Sequence, residues 1–201
     1  MTTEKTAGLE GVVATSSAIC YLDGEQGVLA YCGHDIHDLV RETTFEEVCH
    51  LLWHKRLPTR AELGDLQSQL ASTRKLPEPL LRLIKTLPPG NAMDALRTLV
   101  SALAHYDPEA EDWSEPASYR KAVRLTAQVA SVVATYGRIT AGGGPIDPDP
   151  ALSHAANFLL MLTGTRPSGL AARALDVALV LHADHELNAS TFAARVTAAT
   201  L

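Results

Sequence analysis

The chain has 201 residues, which suffices for one large domain or two small ones. A core of that size buries roughly 70% of the surface of the unfolded chain, so the fold does not depend on disulfide bonds. Seventeen lysine and arginine residues against 23 aspartate and glutamate residues give a net charge of −6. This balance argues against nucleic-acid binding or attachment to an anionic membrane, since both require a cationic face. Apolar residues make up 46% of the chain but aromatic residues only 5%, a composition that favours packed helices.

Cysteine usage and the lack of long apolar stretches indicate the cellular environment. Cys20, Cys32 and Cys49 are odd in number and lack C-x-x-C spacing, so we expect free thiols rather than a disulfide framework or a zinc site. The first residues offer no signal-peptide core, and no stretch is apolar for long enough to cross a bilayer. We therefore expect a soluble cytoplasmic protein without a metal or a membrane partner.

The N-terminal region holds the only convincing β pattern, over residues 11–31. Two short apolar runs, 18–22 and 28–31, flank turn-forming residues at 23–27. This arrangement predicts a β-hairpin with a loop of about five residues. Because an isolated hairpin is only marginally stable, it must pack on the rest of the protein.

From His34 onward the apolar spacing is helical. Thr44 followed by Glu47, and Thr59 followed by Glu62, have the spacing of capping boxes and predict two helix starts. Pairs of prolines bracket a short helix near residues 80–84, and the next helix is predicted over 92–105. The acidic stretch at 107–112 lacks apolar periodicity and is predicted to be a solvated loop.

Tyr119 opens the longest predicted helix, over residues 119–138. Its apolar residues cover much of the circumference, which is typical of a helix in the middle of a bundle or in an oligomer interface. A glycine- and proline-rich linker follows at 142–150, and its glycines do not form a phosphate-binding pattern. Further helices are predicted over 151–163, over 170–186 and from about 189 onward.

The fold class is therefore all-α, a multi-helix bundle with a small N-terminal β-hairpin. Because no stop signal follows the last helical pattern, we expect Leu201 to be the end of a fragment.

Histidines are frequent, and two pairs are closely spaced. His50 and His54 are four residues apart, which places them on one helix face; without an H-E-x-x-H pattern we interpret them as a polar helix flank. His34 and His37 could bind a metal with Asp35. N-terminal helix capping by Asp35 is the favoured interpretation.

The densest polar cluster is H-A-D-H-E-L-N at residues 182–188, directly after an apolar run. Burying so many polar groups is unfavourable unless they pair with each other or with a ligand. A metal site is disfavoured because the H-x-D-H spacing fits no common zinc pattern. Two interpretations stay open: a structural junction in which Asn188 caps the final helix, and a carboxylate site that uses His185 and the positive end of that helix.

The string H-A-D-H-E-L-N-A-S-T at 182–191 resembles the citrate synthase family, including its 2-methylcitrate synthases. The segments L-S-H-A-A-N-F-L at 152–159 and G-L-E-G-V-V at 8–13 extend the resemblance over about residues 8–201. It implies a helical homodimer of the tricarboxylic acid cycle that condenses acetyl-CoA with oxaloacetate, without a further cofactor, and releases citrate and CoA. It also implies that His185 binds oxaloacetate, that Asn188 lines the same pocket, and that the helix over 119–138 lies in the dimer interface.

The same resemblance shows what these 201 residues lack. The family's catalytic histidines lie in P-L-H-G-G-A-N-like and G-x-G-H strings, its aspartate comes later still, and arginines clamp the substrate carboxylates; none of these strings occurs here. We therefore identify no catalytic residue and expect the chain alone to be inactive. Residues 1–201 are interpreted as the N-terminal part of the large helical domain, without the rest of that domain and the small domain.

Two hypotheses follow. The favoured one is a truncated portion of a citrate synthase, or of a 2-methylcitrate synthase that uses propionyl-CoA. The alternative is a complete, non-catalytic helical module for binding or dimerisation.

Overall fold

The computed structural model describes residues 16–88 and 90–200. These residues are mostly helical and include three short strands, which confirms the predicted fold class. The strands are β1 (Cys20–Asp23), β2 (Val28–Tyr31) and β3 (His34–Asp35). The helices are α1 (Ile36–Glu42), α2 (Phe45–His54), α3 (Arg60–Thr73), α4 (Glu78–Thr86), α5 (Ala92–Leu103), α6 (Glu115–Thr140), α7 (His154–Thr163), α8 (Gly169–Leu181) and α9 (Ala189–Ala198). No helix among the described residues is long and apolar enough to cross a membrane.

The predicted hairpin is confirmed, and it is part of a slightly larger sheet. Strands β1 and β2 pair antiparallel with Cys20 opposite Tyr31, while residues 11–15 of the predicted region lie outside the described residues. Strand β3 was not predicted. The chain reverses at Cys32 and Gly33, whose φ angles of 50° and 85° suit a tight hairpin turn, and His34 then pairs with Tyr31. A two-residue strand is too short to show an alternating pattern.

The predicted helix caps are present. The Thr44 and Thr59 side chains both form capping boxes, with Glu47 and Glu62. Asp35 caps α1 by accepting a hydrogen bond from the His37 backbone N–H at 2.7 Å. The residues that the structure describes contain no group of three or more potential metal ligands. This geometry supports capping by Asp35.

Helix α6 is the central element and is longer than predicted at both ends. It packs against α3, α5 and α7 and contributes to two of the three apolar core clusters. The third cluster lies between the sheet, α1, α2 and α8 and contains Tyr31, Leu51 and Val180. Leu125 and Val133 on α6 are 43% and 37% exposed, so one apolar face of this helix is left uncovered by the described residues.

One prediction about polar residues was confirmed in part and another was wrong. The acidic segment is a loop, as predicted, with Glu111 and Asp112 exposed, but Arg124 of α6 binds Asp107 at 2.6 Å and Glu109 at 2.7 Å in a half-buried cluster. His50 is not a polar flank, because only 4% of it is exposed and its Nδ1 lies 3.0 Å from the Arg56 carbonyl oxygen. It shares a face with His54, as expected, with ring centroids 4.3 Å apart.

The C-terminal part of the described chain contains three helices. The linker at 142–150 has no regular helix or strand, as predicted. Helix α8 ends at Leu181 instead of residue 186, because the polar residues that follow form a turn. Helix α9 then begins at Ala189. The turn between these two helices holds the polar cluster identified in the sequence.

Candidate functional site

The polar turn between α8 and α9 brings His185 and Asn188 together. Asn188 Nδ2 lies 3.5 Å from His185 Nε2, and both side chains are exposed. Asn188 Oδ1 accepts a hydrogen bond from the Thr191 backbone N–H at 2.8 Å, so Asn188 is also the N-cap of α9. The capping interpretation is therefore confirmed, and it leaves the amide nitrogen of Asn188 available next to the imidazole.

This contact favours one tautomer of the His185 ring. An amide nitrogen only donates hydrogen bonds, so in the neutral imidazole the nitrogen facing Asn188 is the acceptor. The neutral ring then carries its proton on Nδ1, where it is free to donate to a ligand. The positive end of the α9 dipole lies at the same place, and it favours a negative group by ~0.3–1 kcal/mol. Together these features suit a small carboxylate.

The turn has a defined backbone conformation. Asp184 Oδ1 accepts a hydrogen bond from the Glu186 N–H at 2.8 Å, and Glu186 has a left-handed φ of 68°. The backbone N–H of Asn188 then bonds the Glu186 carbonyl oxygen at 3.1 Å. His182 takes no part in this arrangement, because its Nδ1 lies 2.7 Å from the Ala178 carbonyl oxygen of its own helix. The first histidine of the string thus ends α8, and the second faces Asn188.

Tyr31, a residue that the sequence analysis did not identify, supports this turn from the protein interior. Tyr31 of β2 is fully buried, and its hydroxyl lies 2.9 Å from the carbonyl oxygen of Asp184 and 3.3 Å from its amide nitrogen. The two residues are 153 positions apart. Only a sequence signal that links distant positions could have paired them.

An ion pair between the buried Asp176 and the partly exposed Arg173 holds α8, the helix that leads into the turn. Asp176 is 6% exposed and accepts hydrogen bonds from the Phe45 backbone N–H at 3.0 Å and from Arg173 at 2.6 Å. Arg173 also donates to the backbone carbonyl oxygens of Thr43, at 2.9 Å, and of Val40. These bonds hold the junction between α1 and α2 against α8.

A second buried polar group connects α2, α3 and α7. Glu46 is 1% exposed, and its Oε1 accepts a hydrogen bond from the His154 backbone N–H at 2.8 Å. Burial raises the pKa of Glu46 above its ordinary value. Burial, together with the nearby Arg74, lowers the pKa of His154 to about 4, so this histidine is neutral at pH 7. In the described part of the chain, no hydrogen bond joins this group to the α8–α9 turn.

An apolar groove of about 470 Å³ runs along the uncovered face of α6. The groove is lined by residues of α2, α6, α7 and α8: Phe45, Leu125, Thr126, Val129, Ala130, Val133, His154, Phe158, Leu175 and Leu179. Apolar surface of this kind is typical of an interaction site.

Comparisons with known proteins agree on one family. The family model described as "Citrate synthase, C-terminal domain" matches residues 8–201. The citrate synthase of Haloferax volcanii is 47% identical over 100% of this chain and 54% of its own length. The crystal structure of citrate synthase from Pyrobaculum aerophilum superposes with a TM-score of 0.90 at 38% identity, over 96% of this chain and 50% of that chain.

A ternary complex is among the similar structures. It contains carboxymethyl coenzyme A, oxaloacetate and the citrate synthase of Thermoplasma acidophilum, and it has a TM-score of 0.86 at 26% identity, over 92% of this chain and 49% of that chain. The chain spans about half the length of the relatives that it matches.

Proposed function

Because the chain belongs to the citrate synthase family, we propose that it is part of an enzyme that condenses acetyl-CoA with oxaloacetate. We propose in addition that the α8–α9 turn contributes to the oxaloacetate site. The observation that carries this is the convergence of His185 and Asn188, 3.5 Å apart, at the positive end of α9. The related citrate synthase of Thermoplasma acidophilum has been crystallised in a ternary complex that contains oxaloacetate. Acetyl-CoA and oxaloacetate are substrates here, and no further cofactor or metal is part of the proposal.

The chain's own residues account for binding but not for the chemical steps. His185 Nδ1–H and Asn188 Nδ2–H are donors that can orient a carboxylate or carbonyl oxygen. Proton abstraction from the acetyl methyl group needs a positioned base, and the carbonyl of oxaloacetate needs a donor opposite it. The family's strings for these roles do not occur in the 201 residues. We propose that residues 1–201 form the N-terminal part of the large helical domain and that catalysis requires the longer protein.

Binding is tested on the chain itself. Oxaloacetate is titrated into the wild-type chain and into His185→Ala, Asn188→Ala and His182→Ala variants, and the histidine ring signals are followed by NMR up to concentrations well above the millimolar range. We expect saturable shifts that His185→Ala and Asn188→Ala weaken. His182→Ala is the matched control, since its ring bonds its own helix. Equal responses in all four proteins would show that the turn does not bind oxaloacetate.

Catalysis is tested by thioester cleavage. The chain alone and a longer chain that continues beyond Leu201 are each mixed with oxaloacetate and either acetyl-CoA or propionyl-CoA, and the released CoA thiol is measured. We expect release only from the longer chain, and the faster substrate identifies a citrate or a 2-methylcitrate synthase. Release by the 201-residue chain alone would contradict the need for further residues. No release by either protein would favour the non-catalytic module.

We further propose a homodimer formed through α6. The exposed Leu125 and Val133 and the groove beside them give an apolar surface on the predicted interface helix. Val133→Asp places a charge in this surface, which is unfavourable to desolvate. We expect light scattering to show a dimer for the wild type and a monomer for Val133→Asp. Leu170→Asp, at an 82% exposed position at the start of α8, is the control and should stay dimeric. A wild-type monomer, or a dimer that survives Val133→Asp, would refute the proposed interface.

The cytoplasm is the proposed location. Cys20, Cys32 and Cys49 are free thiols in the structure, as expected for a reducing compartment.

A further inference from the structure

We propose that Tyr31 is a positioning residue for the oxaloacetate site: its buried hydroxyl holds the backbone of Asp184 and thereby orients His185. The inference rests on the function proposed above and assigns a role to the small sheet. Tyr31 does not touch the substrate; it acts through the turn that carries His185.

Burial leaves Tyr31 little freedom. None of its surface is exposed, and its ring packs in the apolar cluster with Leu51 and Val180. A buried tyrosine hydroxyl requires hydrogen-bond partners, and here the partners are backbone groups at the end of α8. The hydroxyl donates to the Asp184 carbonyl oxygen at 2.9 Å and accepts from the Asp184 N–H at 3.3 Å. A second carbonyl oxygen, that of Leu181, lies 3.4 Å away. One side chain therefore satisfies both backbone groups of the residue directly before His185.

Hydrogen bonds continue from Asp184 to the site. The Asp184 carboxylate accepts from the Glu186 N–H, and the Glu186 carbonyl oxygen accepts from the Asn188 N–H. His185 thus lies between two residues whose backbones are held, with its imidazole directed at Asn188. Since the ring itself is exposed, its orientation depends on the backbone on either side of it and on the contact with Asn188. In the described part of the chain, Tyr31 is the only residue outside this turn whose side chain bonds the Asp184 backbone. Loss of its hydroxyl removes these hydrogen bonds.

The neighbouring strand supports the same residue. Cys20 of β1 lies opposite Tyr31 in the sheet. Burial raises the pKa of the Cys20 thiol to about 12, and the next largest cause is a hydrogen bond with the Asp184 side chain. The thiol is therefore protonated at pH 7, next to the residue whose backbone the Tyr31 hydroxyl holds.

The experiment compares Tyr31→Phe with Tyr136→Phe. The control makes the same chemical change at an 8% exposed tyrosine of α6, in the apolar cluster formed with α4 and α5. Both variants are made in the 201-residue chain and in the longer enzyme. Three quantities are measured: the oxaloacetate dissociation constant, the KM of each substrate, and hydrogen exchange of residues 184–188.

We expect Tyr31→Phe to raise the dissociation constant and the KM for oxaloacetate about fivefold, the value of one neutral hydrogen bond, with the KM for acyl-CoA unchanged. Exchange at 184–188 should become faster in Tyr31→Phe alone. Tyr136→Phe should leave all three quantities as in the wild type, even where its thermal stability falls.

The outcomes separate the two proposals. If the wild type does not bind oxaloacetate, the proposed function fails and this inference fails with it. If the wild type binds and Tyr31→Phe binds equally well, only the inference is overturned. Equal weakening by Tyr136→Phe would also overturn it, because general loosening of the core would then explain the effect.

Discussion

The buried histidine at the start of α7 makes the stability of this protein depend on pH. His154 is 5% exposed, and its Nδ1 has no hydrogen-bond partner within the described part of the chain. Its ring packs against Phe45 with centroids 5.1 Å apart. Burial, reinforced by Arg74, lowers its pKa from 6.5 to about 4. The folded state therefore resists protonation of a group that the unfolded chain protonates readily.

The size and sign of the effect follow from linkage. Because the pKa of His154 is lower in the folded state, its contribution to the unfolding free energy is fully present above pH 6.5 and is lost as the pH falls from there to below 4. A shift from 6.5 to about 4 corresponds to a total loss of about 3 kcal/mol at a pH below both values. At pH 5 the folded protein has lost about 2 kcal/mol of unfolding free energy through this residue, relative to pH 8.

Substitution isolates this contribution. His154→Leu keeps a similar volume and sacrifices no side-chain hydrogen bond of Nδ1 in the described residues. Urea unfolding at pH 8 and pH 5 should show a loss for the wild type that exceeds the loss for His154→Leu by about 2 kcal/mol. The buried Glu46 titrates in both proteins, so it cancels from the difference. His105→Leu, at an exposed histidine, should behave like the wild type. Equal losses in the wild type and His154→Leu would refute the reasoning and indicate that the ring reaches water through the groove.

Two glycine substitutions should have opposite effects on the unfolding free energy, measured by denaturant titration. Gly164→Ala should lower it by about 2 kcal/mol, because Gly164 has a φ of +79° and a Cβ there meets the Arg138 guanidinium. Gly64→Ala should raise it by about 0.5–1 kcal/mol, because Gly64 lies within α3 and a Cβ there meets nothing within 4 Å. Equal effects at the two positions would contradict the conformational argument.

Local signals predicted much of the fold. Both capping boxes, the Asp35 cap and the hairpin depend on residues within a few positions of each other, so a single sequence contains the necessary information. The acidic segment shows the limit. It is a loop, as its charge pattern predicts, but the sequence did not reveal its ion pairs, because Arg124 lies 15 and 17 positions beyond its partners and α6 brings it back to them. Pairing across such distances depends on how the helices pack.

The candidate site divides in the same way. His185 and Asn188 were found because they are three residues apart at a helix start, where capping and dipole arguments apply directly. Tyr31 was missed because nothing near residue 31 signals a polar role, and its partner lies 153 positions further on. Its neighbourhood is that of an ordinary strand residue in an apolar core. The exposed side chains of the candidate site were therefore visible in the sequence, whereas the buried Tyr31 required the structure.

The strength of the site can be bounded from its parts. Two hydrogen bonds contribute about 1–3 kcal/mol together, and the α9 dipole adds ~0.3–1 kcal/mol. Their sum stays near or below the ~4 kcal/mol that corresponds to a dissociation constant of 1 mM. The chain alone should thus bind oxaloacetate no more tightly than about 1 mM. A micromolar dissociation constant for the isolated chain would mean that further cationic groups face this turn, and it would contradict the assignment of the carboxylate clamps to residues outside these 201.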